Sequence, residues 1–243
     1  ADLIIAIGAR FDDRITNTPK LFAPNAKIIH LDVDYSSVSK IIEANIAVFG
    51  QVKNSLLEMI KLLEAKKELI DPKKILPWKE QISDWKSQHG LNHEMHLCET
   101  DDKPIMPQAV VQHIYNITNG KAFITSDVGQ HQMFAAQYYH FDEPRKWINS
   151  GGLGTMGFGL PAAMGAKLAY PNDEVICITG EGSIQMCIQE LSTCTQYNLP
   201  IKIININNEA LGMVKQWQDM NYGGRHSAST YQSSLPNFVE LAE

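Results

Sequence analysis

The sequence lacks several patterns that would assign it to a common class of protein. It contains no run of basic residues, and its formal net charge is −6 over 243 residues. That charge argues against nucleic acid or an anionic membrane as the main partner, because both attract basic surfaces. No apolar stretch approaches the roughly 20 residues of a transmembrane helix, and the opening residues show no signal-peptide pattern. We therefore predict a globular protein. Because the chain is acidic overall, an anionic ligand would need favourable groups placed locally at its binding site.

Cysteine is scarce, and its pattern argues against a disulfide framework. The sequence has four cysteines and no CxxC pair. Three of them, Cys177, Cys187 and Cys194, fall within apolar patterns, as buried thiols do in a reducing compartment. We therefore expect a cytoplasmic protein. The chain opens without an initiator methionine and stops within a helical pattern, so we also expect it to be part of a longer polypeptide.

Strand patterns alternate with helix patterns along the chain, which is typical of a parallel α/β architecture. The first strand, LIIAI, is apolar throughout and is expected to be buried. The predicted strands span residues 3–7, 27–31, 122–126, 147–149, 175–179 and 201–206. The predicted helices span residues 52–63, 107–115, 159–169 and 183–197, with one more from about residue 130 and another near the end. A charged and polar stretch, residues 64–104, predicts a connecting segment in which Trp78 and Trp85 share a helical face.

A glutamate held between two glycines follows one predicted strand, in the stretch ICITGEGSIQM. Asn207 and Asn208 follow the next strand, and the two strands belong to one βαβ unit, so they are parallel. Glu181 and Asn208 are therefore expected at one edge of the sheet, where open α/β sheets bind ligands. The glycines allow close backbone approach, while Ser183 and the N–H groups of the next helix suit phosphate oxygens. Carboxylate, amide, carbonyl and phosphate oxygens form the set that Mg²⁺ prefers, so we predict a magnesium ion holding a diphosphate.

Each pattern also has a simpler or a different interpretation. A Gly-Glu-Gly turn and an Asn-Asn pair are, taken singly, ordinary loop chemistry. The stretch GLGTMG satisfies GxGxxG and would suit a nicotinamide dinucleotide, but the acidic residue expected about 20 positions on falls at Cys177. A structural zinc site is conceivable in HGLNHEMHLC, although one thiol and irregular spacing favour a solvated loop. Its candidate ligands are His89, His93, His96 and Cys98.

Several stretches together resemble one enzyme family. G-(D/E)-G-S followed by about two dozen residues and NN is the thiamine diphosphate motif, and here 24 residues separate Gly182 from Asn207. With this motif, the stretches GARFDDR, SDVGQHQMFAAQYY, WINSGGLGTMGFGLPAAMGAK and NNEALGMVKQW resemble the large catalytic subunit of acetolactate synthase, also called acetohydroxyacid synthase. The resemblance covers nearly the whole chain. It implies an α/β fold with parallel sheets flanked by helices, in which a thiamine diphosphate-binding fold is preceded by a partial Rossmann-like central domain.

The resemblance also divides the chain into domains. Residues 1–63 match the second half of a central FAD-associated domain, and residues 64–104 connect it to the next domain. Residues 105–243 match most of the domain that binds thiamine diphosphate and Mg²⁺, truncated at its C-terminus. The glutamate that activates the cofactor lies in the family's N-terminal domain, which these residues do not match. We therefore expect the 243-residue chain alone to form no acetolactate.

Site residues carry over from the family position by position. The implied Mg²⁺ ligands are Glu181, Asn208 and the carbonyl of Ala210. The implied thiamine diphosphate contacts are Val128, Gly129, Gln130, His131, Gly154, Met156, Gly182, Ser183 and Met213, with Met156 bending the cofactor. The implied FAD contacts are Gly8, Ala9, Arg10, Asp12, Arg14, Ile15, Asp32, Val33, Gln51, Gln132, Met133, Gly151 and Gly152. Catalysis is implied to use Met156 with Arg14, which pairs with the carboxylate of the second 2-oxo acid, and Trp217, which shapes the pocket for its alkyl end.

The implied reaction is carboligation, which would make the parent enzyme a transferase of branched-chain amino acid biosynthesis. Pyruvate loses CO₂ on thiamine diphosphate, and the hydroxyethyl unit joins a second pyruvate or 2-oxobutyrate. The family also implies a structural FAD, a homodimer or higher oligomer, and a small regulatory subunit as a further partner. This chain departs from the family at Glu181 and Gln51, where aspartate is usual.

Other hypotheses remain open on the sequence alone. A pyruvate oxidase or another thiamine diphosphate-dependent decarboxylase is the nearest catalytic alternative, and a non-catalytic α/β assembly module is the alternative from a different class. Met213 and Trp217 are four residues apart and would also suit a core-facing helical stripe. Arg14, which follows two aspartates, would also suit a surface ion-pair cluster.

Overall fold

The computed structural model describes residues 1–91, 104–231 and 233–242. The chain forms two compact units, Ala1–Trp85 and Lys86–Glu243. Each unit is built on a parallel β-sheet with helices between the strands, which confirms the predicted α/β fold. Within the described ranges, no helix is both long and apolar enough to cross a membrane.

The first unit contains a three-stranded parallel sheet in the order β1-β2-β3. Its strands are β1 (Leu3–Ile7), β2 (Lys27–Asp32) and β3 (Ile46–Phe49). Its helices are α1 (Asp13–Thr16) and α2 (Val52–Glu64), and α3 (Leu76–His89) begins in this unit. A small core of Ala6, Phe11 and Ile28 packs at the sheet. On α3, Trp78 and Trp85 meet edge to face with their ring centroids 5.6 Å apart, as their spacing predicts.

The prediction that the first strand is buried is wrong. Leu3, Ile5 and Ile7 are 47%, 45% and 42% exposed, whereas Ala6 between them is buried. Among the described strands, β1 pairs only with β2, so it lies at an edge of the sheet. Because alternate side chains of a strand point to opposite faces, one face of β1 reaches the core and the other is left open by the described residues.

The second unit contains a four-stranded parallel sheet in the order β5-β4-β6-β7. Its strands are β4 (Phe123–Ser126), β5 (Trp147–Asn149), β6 (Val175–Gly180) and β7 (Lys202–Ile206). Its helices are α4 (Pro107–Thr118), α5 (Gln130–Tyr138), α6 (Gly159–Ala169), α7 (Glu181–Ile184), α8 (Glu190–Gln196), α9 (Gly212–Tyr222) and α10 (Phe238–Ala242). The predicted strands agree with these bounds to within a residue at each end.

The central strand β6 is buried along its whole length, because layers of helices cover both of its faces. Ile176 and Ile178 pack into one core with residues of α4 and α5. Val175 and Cys177 pack into the other core with residues of α6 and α7. This alternation is why the apolar run VICIT forms a central strand.

The order in which strands are added to the sheet reverses between β4 and β6. From β4 the chain moves outward to β5, and it then returns to place β6 and β7 on the other side of β4. Such a switch point opens a crevice at the carboxyl ends of the two central strands, which is where open α/β sheets bind ligands. The loops that follow β4 and β6 therefore lie side by side at this edge.

The predicted continuous helix over residues 183–197 is wrong, because the structure breaks it into α7 and α8. After Ser183 the backbone tightens into turns in which the N–H of Met186 bonds the Ser183 carbonyl at 3.1 Å. Beside these turns, the Gln185 side chain donates to the Glu181 carbonyl at 2.9 Å. The helix that directly follows β6 is therefore only the four-residue α7, which begins at Glu181.

Candidate functional site

A cavity of about 350 Å³ lies at the switch point of the second sheet. It is enclosed by the loops that follow β4, β6 and β7 and by the first residues of α5 and α9. Most of the residues predicted for the thiamine diphosphate and metal sites line it. They are Val128, Gly129, Gln130, His131, Met156, Glu181, Gly182, Ser183, Asn208, Ala210 and Met213. Gly154, which was also predicted, is not among the lining residues and adopts a left-handed conformation with φ of 69°.

Sequence reasoning missed other residues of the cavity wall. They are Pro107, Phe134, Ile206, Leu211, Gly212 and Val214. Ile206, Leu211, Gly212 and Val214 lie close in sequence to Asn207 and Asn208. They could have been predicted because the whole loop after β7 follows the same sheet edge. Pro107 at the start of α4 and Phe134 on α5 carry no sequence signal of this kind, because only packing brings them to the cavity.

Oxygen atoms converge where the magnesium ligands were predicted. The Ala210 N–H donates to Glu181 Oε1 at 2.7 Å, which ties the loop after β7 to the loop after β6. One end of the Asn208 amide lies 3.2 Å from Glu181 Oε1 and 3.0 Å from the Ala210 carbonyl oxygen. The structure thus brings a carboxylate, an amide and a backbone carbonyl to one point.

The Asn208 amide lies between Glu181 and Ala210 on one side and a chain of amides on α5 and α9 on the other. As placed, Asn208 Nδ2 donates to Gln130 Oε1 at 3.0 Å, and Gln130 Nε2 donates to Gln216 Oε1 at 3.1 Å. With the amide turned around, its nitrogen donates to Glu181 Oε1 at 3.2 Å and to the Ala210 carbonyl at 3.0 Å, which is the orientation that these two oxygens favour. A cation bound beside Glu181 and Ala210 would instead favour the orientation in which the Asn208 oxygen faces them, and an all-oxygen set suits Mg²⁺.

Glu181 is 2% exposed, and this burial raises the pKa of its carboxyl, while backbone N–H groups, including that of Ala210, oppose the rise. The flanking glycines are required by close packing. A Cβ at Gly180 would lie 2.6 Å from His131 Nδ1, and a Cβ at Gly182 would collide with the Tyr231 hydroxyl. The two glycines therefore let the buried Glu181 carboxylate approach the cavity at a place where His131 and Tyr231 leave no room for flanking side chains.

A second buried carboxyl group, which sequence reasoning missed, holds the switch point together. Asp127 follows β4 and is fully buried. Its Oδ1 accepts the N–H of Gly159 at the start of α6, and its Oδ2 accepts the hydroxyl of Thr179 near the end of β6, each at 2.5 Å. Asp127 thus links the ends of both central strands to α6, directly behind the cavity.

His131 lines the cavity, and its imidazole is buried. The side chain is 6% exposed, and its Nε2 finds no hydrogen-bond partner among the described residues. Burial lowers the pKa of His131 from 6.5 to about 4, and the nearby Asp127 only partly opposes this shift. The imidazole is therefore uncharged at neutral pH and presents an unpaired nitrogen beside the cavity.

This shift makes a prediction about stability. Because the folded-state pKa of His131 lies below its value of 6.5 in the unfolded chain, the unfolded state binds more protons as the pH falls from 6.5 to about 4. We expect His131 to make the protein about 2 kcal/mol less stable near pH 5 than near pH 7. Urea unfolding at both pH values measures this difference. The measurement uses the intact protein, by which we mean the longer polypeptide of which we expect this chain to be a part. His131→Gln should reduce the difference, whereas His113→Gln, a change at an exposed position of α4, should leave it unchanged.

The residues predicted to shape the acceptor pocket are exposed. Trp217 on α9 is 54% exposed and Met213 is 41% exposed, so their interpretation as a core-facing stripe is wrong. Arg14 lies on α1, is exposed and forms no ion pair with any described residue. The ion pair in that stretch joins Arg10 to Asp12 at 2.8 Å.

The residues predicted for FAD fall into both units. In the first unit, Gly8, Asp32 and Gln51 lie at or just beyond the carboxyl ends of the three parallel strands, so they share one edge of that sheet. Ala9 and Val33 follow in the same loops, and Arg10, Asp12, Arg14 and Ile15 lead into or begin α1. In the second unit, Gln132 donates to Asn149 at 3.3 Å, and Met133 is 37% exposed. Gly151 and Gly152 follow β5.

Two of the alternative sites receive no structural support. The position where a dinucleotide site would place its acidic residue is Cys177, which is fully buried inside β6. Across the described ranges, no group of three or more His, Cys, Asp or Glu side chains is arranged to hold a metal ion. His93, His96 and Cys98 of the zinc hypothesis lie outside the described residues.

Comparison with known proteins identifies two domain types in the sequence. Residues 1–59 match the family described as thiamine pyrophosphate enzyme, central domain, and residues 127–243 match thiamine pyrophosphate enzyme, C-terminal TPP binding domain. The acetolactate synthase large subunit of Buchnera aphidicola subsp. Schlechtendalia chinensis is 57% identical over 243 residues. The acetolactate synthase isozyme 3 large subunit of Escherichia coli (strain K12) is 53% identical over the same length. Each alignment covers 100% of this chain and 41% of the relative, so the chain spans well under half the length of these proteins.

Proposed function

Because the chain belongs to the thiamine pyrophosphate (thiamine diphosphate) enzyme family, we propose that it is part of an acetolactate synthase large subunit. The proposed reaction decarboxylates pyruvate and ligates the hydroxyethyl unit to a second pyruvate or to 2-oxobutyrate. Relatives of that name match the chain over its whole length at 53% and 57% identity, which supports this reaction over that of another thiamine-dependent decarboxylase or oxidase.

The observation that carries the proposal is the convergence of a carboxylate, an amide and a backbone carbonyl at the edge of the cavity. With the amide oxygen turned toward a cation, Glu181, Asn208 and the Ala210 carbonyl would supply one negative charge and two neutral oxygens. One negative charge does not neutralise a divalent cation, so the bound cation would still attract an anionic group beside it. In proteins, Mg²⁺ is commonly bound by carboxylates and phosphates together in this way. We propose that these residues hold Mg²⁺ against the diphosphate of the cofactor.

The walls of the cavity suit the diphosphate as well. The first residues of α5 and of α9 line the cavity, and the N-terminus of a helix favours negative charge because its N–H groups are unpaired and its dipole is positive there. Ser183 is buried beside the cavity, and its hydroxyl donates to the Val128 carbonyl at 3.3 Å. This bond ties the loop after β6 to the loop after β4.

The chemistry of carbon–carbon bond cleavage and formation belongs to thiamine diphosphate, which serves as an electron sink when bound. The protein contributes binding, orientation and exclusion of water. Met156 and Met213 supply apolar surface to the cavity, where the rings of the cofactor would lie. The neutral His131 offers a hydrogen bond without adding charge.

We extend the proposal to the rest of the predicted partners. Arg14 would pair with the carboxylate of the acceptor 2-oxo acid, and Trp217 would contact its alkyl end. FAD, in a structural role, would contact the sheet edge that carries Gly8, Asp32 and Gln51. The enzyme would act in the cytoplasm as a homodimer or higher oligomer with a small regulatory subunit. The free, buried Cys177 and Cys187 are consistent with a reducing compartment.

The direct test of the reaction uses the intact protein with pyruvate, thiamine diphosphate, Mg²⁺ and FAD. We expect acetolactate to form and to require both thiamine diphosphate and Mg²⁺. Release of acetaldehyde or acetate without acetolactate would contradict the assignment and would favour a decarboxylase or an oxidase.

Trp217→Leu in the intact protein tests the acceptor pocket. Discrimination of one methylene group in an apolar pocket is worth about 1 to 3 kcal/mol, so losing the indole wall should lower the preference for 2-oxobutyrate over pyruvate roughly tenfold or more. Pyruvate decarboxylation should survive. The product ratio in a competition assay measures the effect, and Trp78→Leu, a change in α3, is the matched control. A ratio unchanged by Trp217→Leu would remove Trp217 from the pocket.

A further inference from the structure

Residues 227–231, which we call the strap, fold back over the loop that carries Asn208 and Ala210. The chain reverses after α9 at Gly223 and Gly224, whose φ angles of 60° and 72° are left-handed. The Leu211 N–H then donates to the Ser229 carbonyl at 2.9 Å, and the Tyr231 N–H donates to the Glu209 carbonyl at 3.0 Å. These bonds flank an antiparallel bridge between Ala210 and Thr230. The strap is thus paired directly with Ala210, whose carbonyl is a proposed metal ligand.

Side chains of α9 fix the strap at its beginning. The Gln218 amide donates to the Ser227 carbonyl at 3.0 Å, and its oxygen accepts the Ser229 hydroxyl at 2.7 Å. Ser229 is 1% exposed, so its side of this anchor is buried. The position of the strap, and with it that of Tyr231, is therefore defined by packing and hydrogen bonds on both sides.

The anchored strap places the Tyr231 hydroxyl next to Gly182. The hydroxyl packs so closely there that a Cβ at Gly182 would collide with it. Partial burial raises the pKa of Tyr231, and the charge of Glu181 adds to the rise, so the phenol keeps its proton at neutral pH. This hydroxyl forms no hydrogen bond with any residue that the structure describes. A protonated donor with no partner therefore lies beside the glycine and the carboxylate of the proposed diphosphate site.

We propose that the Tyr231 hydroxyl donates a hydrogen bond to a phosphate oxygen of the cofactor and that the strap holds it in that position. The inference rests on the proposed function of the cavity and adds a ligand-binding residue from outside the loops that follow the strands. A phosphate oxygen beside Gly182 and Ser183 would give the hydroxyl the acceptor it lacks. A hydrogen bond to a charged group in a partly buried site is among the stronger ones.

Calorimetric titration of the intact protein with thiamine diphosphate in saturating Mg²⁺ tests the proposal without relying on activity. Tyr231→Phe keeps the ring and the strap and removes only the hydroxyl, so we expect Kd to rise about tenfold or more, the size expected for a hydrogen bond to a charged acceptor. Tyr197→Phe, a change at a position 62% exposed, is the matched control and should leave Kd unchanged. Phosphorus NMR of the bound cofactor should show a shifted diphosphate resonance for Tyr231→Phe alone.

The outcomes separate this inference from the proposed function. If the unmodified protein binds thiamine diphosphate and Tyr231→Phe binds it equally well with an unchanged phosphorus spectrum, the inference is overturned while the proposed function stands. If the unmodified protein does not bind thiamine diphosphate, both are overturned. A weaker Kd with an unchanged phosphorus spectrum would assign Tyr231 to packing and would also overturn the proposed hydrogen bond.

Discussion

Glu181→Ala should raise the Kd for Mg²⁺-dependent binding of thiamine diphosphate to the intact protein by about 100-fold or more, since even residues that merely support metal ligands are worth 10- to 100-fold. The substitution removes the only carboxylate of the proposed ligand set and leaves Asn208 and the Ala210 carbonyl beside a diphosphate. It also leaves the Ala210 N–H without the acceptor it has at 2.7 Å. Calorimetric titration at a fixed Mg²⁺ concentration measures the effect.

Two further substitutions separate charge from geometry at this position. Glu181→Asp, which introduces the residue usual in the family, should bind the cofactor at least as well as the unmodified protein, since Mg²⁺ tolerates little variation in ligand distance. Glu181→Gln keeps an oxygen donor and loses the charge, so it should lie between the unmodified protein and Glu181→Ala. Glu240→Ala, a change at an exposed position of α10, is the control. Equal binding by all of the variants would mean that Glu181 is not a metal ligand.

Asp127→Ala should lower the free energy of unfolding by about 3 to 5 kcal/mol, because two buried donors lose their acceptor at once. The Gly159 N–H and the Thr179 hydroxyl both bond this carboxyl at 2.5 Å, and the three residues are buried. Asp127→Asn should cost only about 1 to 2 kcal/mol, since its oxygen still accepts one bond and the Thr179 hydroxyl is able to rotate and accept the other. The midpoint of urea unfolding of the intact protein measures both effects.

A surface carboxyl provides the matched comparison. Asp142 accepts a hydroxyl hydrogen bond from Tyr115 at 3.2 Å in an exposed position, so Asp142→Ala should cost less than about 1 kcal/mol. If Asp127→Ala is no more destabilising than Asp142→Ala, Asp127 does not hold the switch point together. Because Asp127 ties the end of β6 to α6 directly behind the cavity, Asp127→Ala should also weaken cofactor binding.

The meeting of Glu181 and Asn208 at one sheet edge was predictable because it depends on topology rather than on side-chain detail. A βαβ unit places the carboxyl ends of its two strands at one sheet edge whatever the length of the helix between them. The motif spacing between Gly182 and Asn207 therefore indicated that Glu181 and Asn208 meet, even though the helix predicted between them is broken. The break consists of tight local turns after Ser183, which apolar periodicity does not predict.

Other features of the site depend on contacts between distant parts of the chain. Tyr231 reaches Gly182 only because the chain reverses after α9 and pairs with the loop after β7. Asp127 adjoins the motif residue Val128, but its partners at Gly159 and Thr179 come from two other elements. The exposed face of β1 was missed for a related reason, since an apolar strand has the same sequence whether one or both of its faces are covered.

The most direct test of the proposed site is a crystal structure of the intact protein with thiamine diphosphate and Mn²⁺, whose anomalous scattering locates the metal. We predict a metal bound by Glu181, by the Asn208 side-chain oxygen and by the Ala210 carbonyl, with the diphosphate completing its coordination next to Gly182 and Ser183. Mg²⁺ in the same position should lie about 2.0 to 2.1 Å from these oxygens. A metal bound elsewhere, or a cofactor held with Glu181 still bonded to the Ala210 N–H and no metal beside it, would contradict the proposed site.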